Sequence, residues 1–157
     1  MMIHEVCFET LARTCSRWSY PPSVIYSHGW EPVPGERKLC SNGSFHRAYS
    51  KGATARFEFE GLDLPRTVIL ALTHPSGSHI WVIGHKSAAH GNLKVSIDGQ
   101  PGIATINAWG EARAVVPFQK LFEHEFANPG PHWIEVVNDL SGSEITIDAF
   151  ARVSVFN

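Results

Sequence analysis

Residues 24–61 read VIYSHGWEPVPGERKLCSNGSFHRAYSKGATARFEFEG, and this stretch decides the fold class. In its last part, TARFEFEG, apolar and charged side chains alternate, which is the period of a β-strand with one buried face. The first part, VIYSHGW, reads as a strand that ends on an aromatic residue. Glycine and proline punctuate the residues between the two strands. The segment therefore predicts strands joined by turns rather than helices.

Later segments of the chain show the same period of two. Apolar and polar residues alternate in residues 92–97, and Asp98-Gly99 follows as a hairpin turn signal. Residues 145–155 alternate over their whole length and predict a long closing strand. Residues 66–72 and 79–84 predict two more strands. Strands at this spacing predict an all-β fold, an antiparallel jelly-roll β-sandwich.

The alternation also predicts which side chains fill the space between the sheets. The segment GPHWIEVVN, residues 130–138, reads as a strand that is covered on both sides, which places Trp133 in the core. Other core positions follow from the buried face of each predicted strand. They are Phe57, Phe59, Ile97, Val136 and Ile147.

The first residues have a different pattern and predict the one helix of the chain. Apolar residues in 2–16 fall at helical spacing, and the pair Pro21-Pro22 ends the helix. We therefore divide the chain into an N-terminal helical extension, residues 1–22, and a jelly-roll domain, residues 23–157. The helix would either cap the sandwich or pack on a second subunit, so a homo-oligomer is one expected state.

Bulk composition excludes several function classes. A formal charge of −2 gives no basic face, which argues against nucleic acid as a partner. No apolar run reaches the length of a membrane span, and Glu5 and Glu9 interrupt any signal peptide. The expected compartment is thus the cytoplasm unless a leader was removed. Three cysteines without a Cys-x-x-Cys pair, and histidines without ligand spacing, predict no metal and no cofactor.

Five short motifs, in this order, resemble the galactose-binding-domain-like jelly rolls, and the similarity spans about residues 23–155. The most similar members are those of secreted or membrane-anchored proteins of basidiomycete fungi. A similar jelly roll precedes the catalytic domain in some carbohydrate esterases. The resemblance implies a lectin-like, secreted module that binds carbohydrate. The motifs are Ile25-Tyr26-Ser27 with Trp30, Gly52-Ala53 with Phe57, Phe59 and Gly61, residues 95–99, residues 130–136, and residues 147–150.

Aromatic residues near predicted loops are the candidate ligand contacts, because flat rings stack on the apolar faces of sugars. Trp109 is the strongest candidate, since it lies in a Gly-containing loop just past a strand with Asn107 and Glu111 beside it. A second wall of the same site is expected from three further residues, which precede or end neighbouring strands. They are Trp30, His46 and Arg47.

Three function classes fit these residues. The first is a non-catalytic module that binds a carbohydrate or glycoconjugate through aromatics at one loop end. The second is a protein-interaction or self-assembly module that uses an exposed strand edge or the N-terminal segment. The third is a small polysaccharide-active hydrolase or lyase that uses His46, Arg47 and Tyr49. No Gly-x-Ser-x-Gly nucleophile motif is present, so binding is favoured over catalysis.

Overall fold

A computed structural model describes residues 5–10, 12–19, 24–35, 40, 43–61, 78–111, 114–128 and 130–155. The described residues contain no helix with the length and hydropathy of a membrane span. The predicted strand at 66–72 lies outside them. The strands that they form are, in chain order, β1 (Glu5–Thr10), β2 (Ala12–Ser19), β3 (Val24–Tyr26), β4 (Trp30–Pro34), β5 (Ser44–Ala48), β6 (Thr54–Gly61), β7 (Ser78–Lys86), β8 (Asn92–Ile97), β9 (Gln100–Asn107), β10 (Val116–Phe126), β11 (Gly130–Asn138) and β12 (Ile145–Val155).

These strands form two antiparallel sheets. The first sheet is built around β12, and one edge of β12 pairs with β7 and, beyond it, β10. The other edge of β12 is shared, because its first half pairs with β5 and then β4 while its second half pairs with β2 and then β1. The second sheet has the order β3-β6-β11-β8-β9. The predicted all-β sandwich is confirmed.

One hydrophobic core lies between the sheets. Phe57 of β6 stacks on Phe150 of β12 with 5.3 Å between the ring centroids, so an aromatic pair joins the two sheets. Four of the five predicted core residues are buried, and Phe59 packs partly buried against the same cluster. Each fully buried side chain of this size contributes about 1.5–3 kcal/mol. The aliphatic members are Ile80, Val82, Leu93, Val95, Ile97, Ile106, Ile134, Val136, Ile145 and Ile147.

The helix predicted for residues 2–16 is wrong over the described residues. β1 and β2 form a hairpin there, and β2 pairs with β12 along six residue pairs. The local pattern is ambiguous because residues that favour strands, such as Val6, Phe8 and Thr14, alternate with helix formers. A short isolated helix is marginal in water, so pairing with β12 overrides the local preference. The domain boundary at residue 22 stays a prediction.

Trp133 does not lie in the core, so the prediction that the core includes this residue is wrong. Ile134 is fully buried, so the alternate side chain Trp133 faces the outer side of the second sheet. There the Arg56 guanidinium lies 4.0 Å from the indole centroid, and Arg56 also pairs with Glu58 at 2.9 Å. Among the described residues, long side chains of the neighbouring strand therefore cover this part of the outer side of β11.

Two glycines fix the backbone where strands meet closely. The predicted hairpin turn between β8 and β9 is confirmed, since Asp98 and Gly99 both have positive φ, 48° and 81°. In the first sheet, a β-carbon on Gly84 would lie 2.3 Å from the carbonyl oxygen of Thr146. Only glycine fits at this approach, which holds the end of β7 against the start of β12.

Candidate functional site

One end of the sandwich gathers the loops that carry the predicted ligand contacts. Strands β5, β7, β9 and β11 run towards this end, and β6, β8, β10 and β12 begin there. The connecting loops are residues 49–53, 87–91, 108–115 and 139–144. Loops on a rigid sandwich are the usual place for binding residues.

Main-chain hydrogen bonds join these loops to one another. Each bond has an N–H donor on one loop and a carbonyl acceptor on another, with N···O distances of 3.1–3.2 Å. Such pairing satisfies backbone groups that would otherwise need water, and it holds the loops in one arrangement. The donors and acceptors are Gly142 to Tyr49, Glu144 to Ala89, Ala108 to Gly91, and Gly110 to Ser87.

A buried histidine fastens the loop of residues 87–91 to β12. His90 Nδ1 lies 2.5 Å from Ser87 Oγ, and His90 Nε2 lies 3.0 Å from Thr146 Oγ1. Burial, together with nearby His85, lowers the pKa of His90 to about 4, so the ring is neutral at pH 7. Ser87 is only 3% exposed, which does not suit a nucleophile. The Ser87–His90 pair therefore has a structural role: it holds the loop of residues 87–91 in place against β12.

Trp109 lies on this locked end and is exposed. Its main chain bridges to Ser87, while 49% of its surface remains in solvent. The side-chain oxygen of Asn107 accepts the Trp109 N–H at 2.8 Å, so Asn107 shapes the loop. Glu111 is exposed two residues further along. The three residues predicted as the centre of the site thus lie together, Asn107 at the end of β9 and the other two in the loop that follows.

Arg47 and Tyr49 lie near the loop of residues 139–144. Arg47 Nε donates to Glu31 Oε1 at 2.6 Å, and the guanidinium lies 5.5 Å from the centroid of the Tyr49 ring. The carbonyl of Tyr49 accepts the Gly142 N–H described above. Arg47 already has a carboxylate partner, so its remaining N–H donors are what a ligand would meet.

Trp30 and His46 are partly buried and pack on Tyr26 rather than standing free at the surface. His46 stacks on Tyr26 with 4.0 Å between centroids, and Trp30 packs against Tyr26 at 5.4 Å. Burial lowers the pKa of His46; it also raises the pKa of Tyr26, with a further contribution from Asp148. The Trp30 indole nitrogen is buried with no hydrogen-bond partner among the described residues. We call Tyr26, Trp30 and His46 the interior group.

A set of exposed apolar side chains, in the loop of Trp109 and at the start of β10, was not predicted from the sequence. Val116 of β10 pairs with Lys86, the residue before Ser87. Trp109, Val115, Val116 and Phe118 are all between 39% and 49% exposed, and we call these four residues the apolar patch. The run VVPF in the sequence is the signal that marks it. Concentrated apolar surface of this kind marks an interaction site more often than scattered residues do.

A further group of charged side chains surrounds Trp81 on the outer face of the first sheet. Trp81 donates its indole N–H to Glu123 at 3.0 Å, and the Lys120 ammonium lies 4.9 Å from its ring centroid. The hydrogen bond from Lys120 lowers the pKa of Glu123. His79 lies 3.7 Å from Glu123 and 3.8 Å from Glu125. Even so, the described residues contain no cluster of metal-ligating side chains that could hold an ion.

Comparison with solved structures identifies the fold. The chain is similar to a family 35 carbohydrate binding module from Clostridium thermocellum, with a TM-score of 0.55 and 16% identity over 88% of this chain and 97% of that one. It is also similar to a family two carbohydrate esterase from Cellvibrio japonicus (TM-score 0.52, 13% identity, 93% of this chain and 35% of that one). A third similar structure is a Paenibacillus xanthan lyase, with a TM-score of 0.53 and 13% identity over 80% of this chain and 12% of that one.

These similarities establish the fold and not the activity. The chain spans only 12% of the lyase and 35% of the esterase, but nearly all of the binding module. Neither protein-family models nor curated proteins give a match. The function has therefore to be argued from the site itself.

Proposed function

We propose that this protein is a non-catalytic carbohydrate-binding module whose ligand stacks on Trp109. The observation that carries the proposal is a half-exposed indole on a loop that hydrogen bonds hold in place. An aromatic ring held in position before binding loses little conformational entropy when a sugar stacks on it. Similarity to a complete binding module supports the same class.

The finer parts of the proposal rest on the sequence resemblance. From that resemblance we propose that the module is galactose-binding-like and lectin-like, and that it is related to the fungal modules. Glu111 and Arg47 carry hydrogen-bonding groups near the loop end, and we assign them to the sugar hydroxyls. Asn107 acts by holding the main chain of Trp109 in the conformation that binds. Trp30 and His46 act indirectly, through the packing of the interior group under this end.

Substitution of Trp109 tests the proposal. We expect wild-type protein to be retarded in native gels that contain one of a panel of soluble polysaccharides, namely xylan, galactan, β-glucan or xanthan. Trp109→Ala should weaken that retardation about tenfold or more, since one stacked aromatic contributes about 1–2 kcal/mol. Its melting temperature should stay close to that of the wild type, because the ring is half in solvent.

Ile25→Ala is the matched control, since Ile25 is 58% exposed on β3 of the second sheet, away from the Trp109 loop. It should change neither binding nor melting. A Trp109→Ala protein that binds as well as the wild type would remove Trp109 from the site. Loss of the folded state in that variant would instead show that the indole is structural.

The apolar patch also favours a second candidate, a self-assembly or protein-interaction module. Its exposed side chains would then be covered by another protein chain. Mass measured over a range of protein concentrations distinguishes the two, because only assembly gives a mass that rises with concentration. A hydrolase has less support, since His46 faces the interior group while its neighbour Arg47 pairs with Glu31.

A further inference from the structure

Phe118 has an unusual backbone conformation for an aromatic residue. Its φ is 55°, in the left-handed region that bulky side chains rarely adopt. Its side chain is 44% exposed at the surface of the protein. A strained residue that persists at the surface is a candidate for a functional contact.

The strain at Phe118 belongs to a β-bulge in β10. Pairing of β10 with β7 shifts register between Val116 and Gln119, and the side-chain amide of Gln119 donates to the Pro117 carbonyl at 3.0 Å. Bulges re-aim a side chain relative to the regular strand. The bulge therefore sets the direction of the exposed Phe118 ring.

The bulge places Phe118 close to the Trp109 loop. Val116 pairs with Lys86, and the next residue of that strand, Ser87, bridges to Trp109. Phe118 is two residues beyond Val116, which is about 7 Å along a strand. The main chain of Phe118 thus lies two residues along β10 from the part of that strand nearest the Trp109 loop, and Trp109 and Phe118 are the two aromatic members of the apolar patch.

We propose that Phe118 is a second stacking residue of the carbohydrate site, and that the ligand is an internal stretch of a polysaccharide chain rather than a single terminal sugar. This inference rests on the function proposed above. Each ring can stack on only one sugar face, so two separated rings on one surface match successive residues of a chain. The aliphatic side chains of Val115 and Val116 complete the apolar patch.

The test compares ligands of different length. The probes are oligosaccharides of one to six residues, made from the polysaccharide of the panel that retards the wild type. Phe118→Ala should weaken binding of the four- to six-residue probes about five- to tenfold and leave binding of the single sugar unchanged. Trp109→Ala should weaken both.

The backbone strain provides a readout that needs no ligand. Phe118→Gly should raise the melting temperature, because glycine adopts positive φ freely, while it weakens binding of the long probes as Phe118→Ala does. A lowered melting temperature would show that Phe118 packs structurally and would overturn the inference.

Other outcomes separate this inference from the proposed function. If Phe118→Ala weakens binding equally at every probe length, or does not weaken it at all, the role of Phe118 is overturned. The role of Trp109 as a stacking residue would still stand. Absence of binding by the wild type to every polysaccharide and glycan defeats both proposals. A mass that rises with concentration and returns to that of a monomer in Phe118→Ala would assign the apolar patch to a second copy of the chain.

Discussion

The interior group and the apolar patch contain aromatic residues of similar sequence context with opposite environments. In the interior group, rings lie 4.0 and 5.4 Å apart, and burial shifts the pKa values of His46 and Tyr26. In the apolar patch, Trp109 and Phe118 keep nearly half of their surface in solvent. The first group stabilises the sandwich, and the second is free to contact a ligand. Both groups come from strands and the loops next to them, so the direction of the side chain is what separates them.

The largest expected effect is on the interior group. Trp30→Ala should lower the free energy of unfolding by about 3 kcal/mol, because the indole packs against Tyr26 and the main core. Urea denaturation followed by circular dichroism measures the change. At temperatures where the variant is folded, polysaccharide binding should be weakened less than by Trp109→Ala, because Trp30 acts on the site only through packing.

A conservative variant separates packing from polarity. Trp30→Phe keeps most of the ring and removes the indole nitrogen that is buried without a described partner. It should cost about 1 kcal/mol or less, since an unsatisfied donor is itself unfavourable. If Trp30→Phe is as unstable as Trp30→Ala, the nitrogen has a partner that matters. Loss of binding in both variants would place Trp30 in the site.

The fold could be predicted from the sequence because alternation is a local property. In β6, Phe57 faces the core and Arg56 and Glu58 face outward, as the pattern of TARFEFEG requires. The helix prediction for the N-terminal segment was wrong because its apolar residues also suit a helix. The contact that decides its structure is with β12, far along the chain. The prediction that Trp133 lies in the core was wrong because the side chain that covers its ring is Arg56 of the neighbouring strand. No local sequence pattern shows which side chain of a neighbouring strand lies beside a given residue.

The second largest expected effect is that of pH. A fall in pH should lower the free energy of unfolding, because several histidines are buried. Burial lowers the pKa values of His46, His90 and His124, and that of His90 to about 4. Between about pH 6.5 and pH 4 the unfolded chain therefore binds more protons than the folded one. The free energy of unfolding has its full value above that window and falls with pH inside it, by about 3 kcal/mol for His90 alone. Urea titrations at several pH values measure the slope.

His90→Gln identifies the group responsible. The variant loses stability at pH 7, because the contacts to Ser87 and Thr146 change, but its stability should depend less on pH than that of the wild type. Equal slopes in the two proteins would assign the dependence to other groups. A wild type that becomes more stable on acidification would contradict the sign of the prediction.

The candidate site could be predicted only in part. Trp109, Asn107 and Glu111 lie together at the end of β9 and in the loop after it because they are close in sequence. His46 and Arg47 were predicted to line one wall, yet neighbouring residues of a strand face opposite sides, so β5 separates them. Phe118 was missed because a β-bulge with positive φ depends on how β10 pairs with β7, which the sequence does not display.

The smallest expected effect concerns Asn107. Its side-chain oxygen accepts the Trp109 N–H, so Asn107→Ala should cost about 1 kcal/mol of stability and loosen the loop before binding. We expect affinity for the polysaccharide to fall only about threefold, because the indole must then be ordered when the ligand binds. Asn107→Asp keeps the acceptor oxygen and should retain the turn and most of the affinity. If Asn107→Ala instead abolishes binding as completely as Trp109→Ala and leaves stability unchanged, Asn107 contacts the sugar directly. The hydrogen bond to Trp109 would then be secondary to that contact, and the sequence-based assignment of Asn107 to the ligand would be restored.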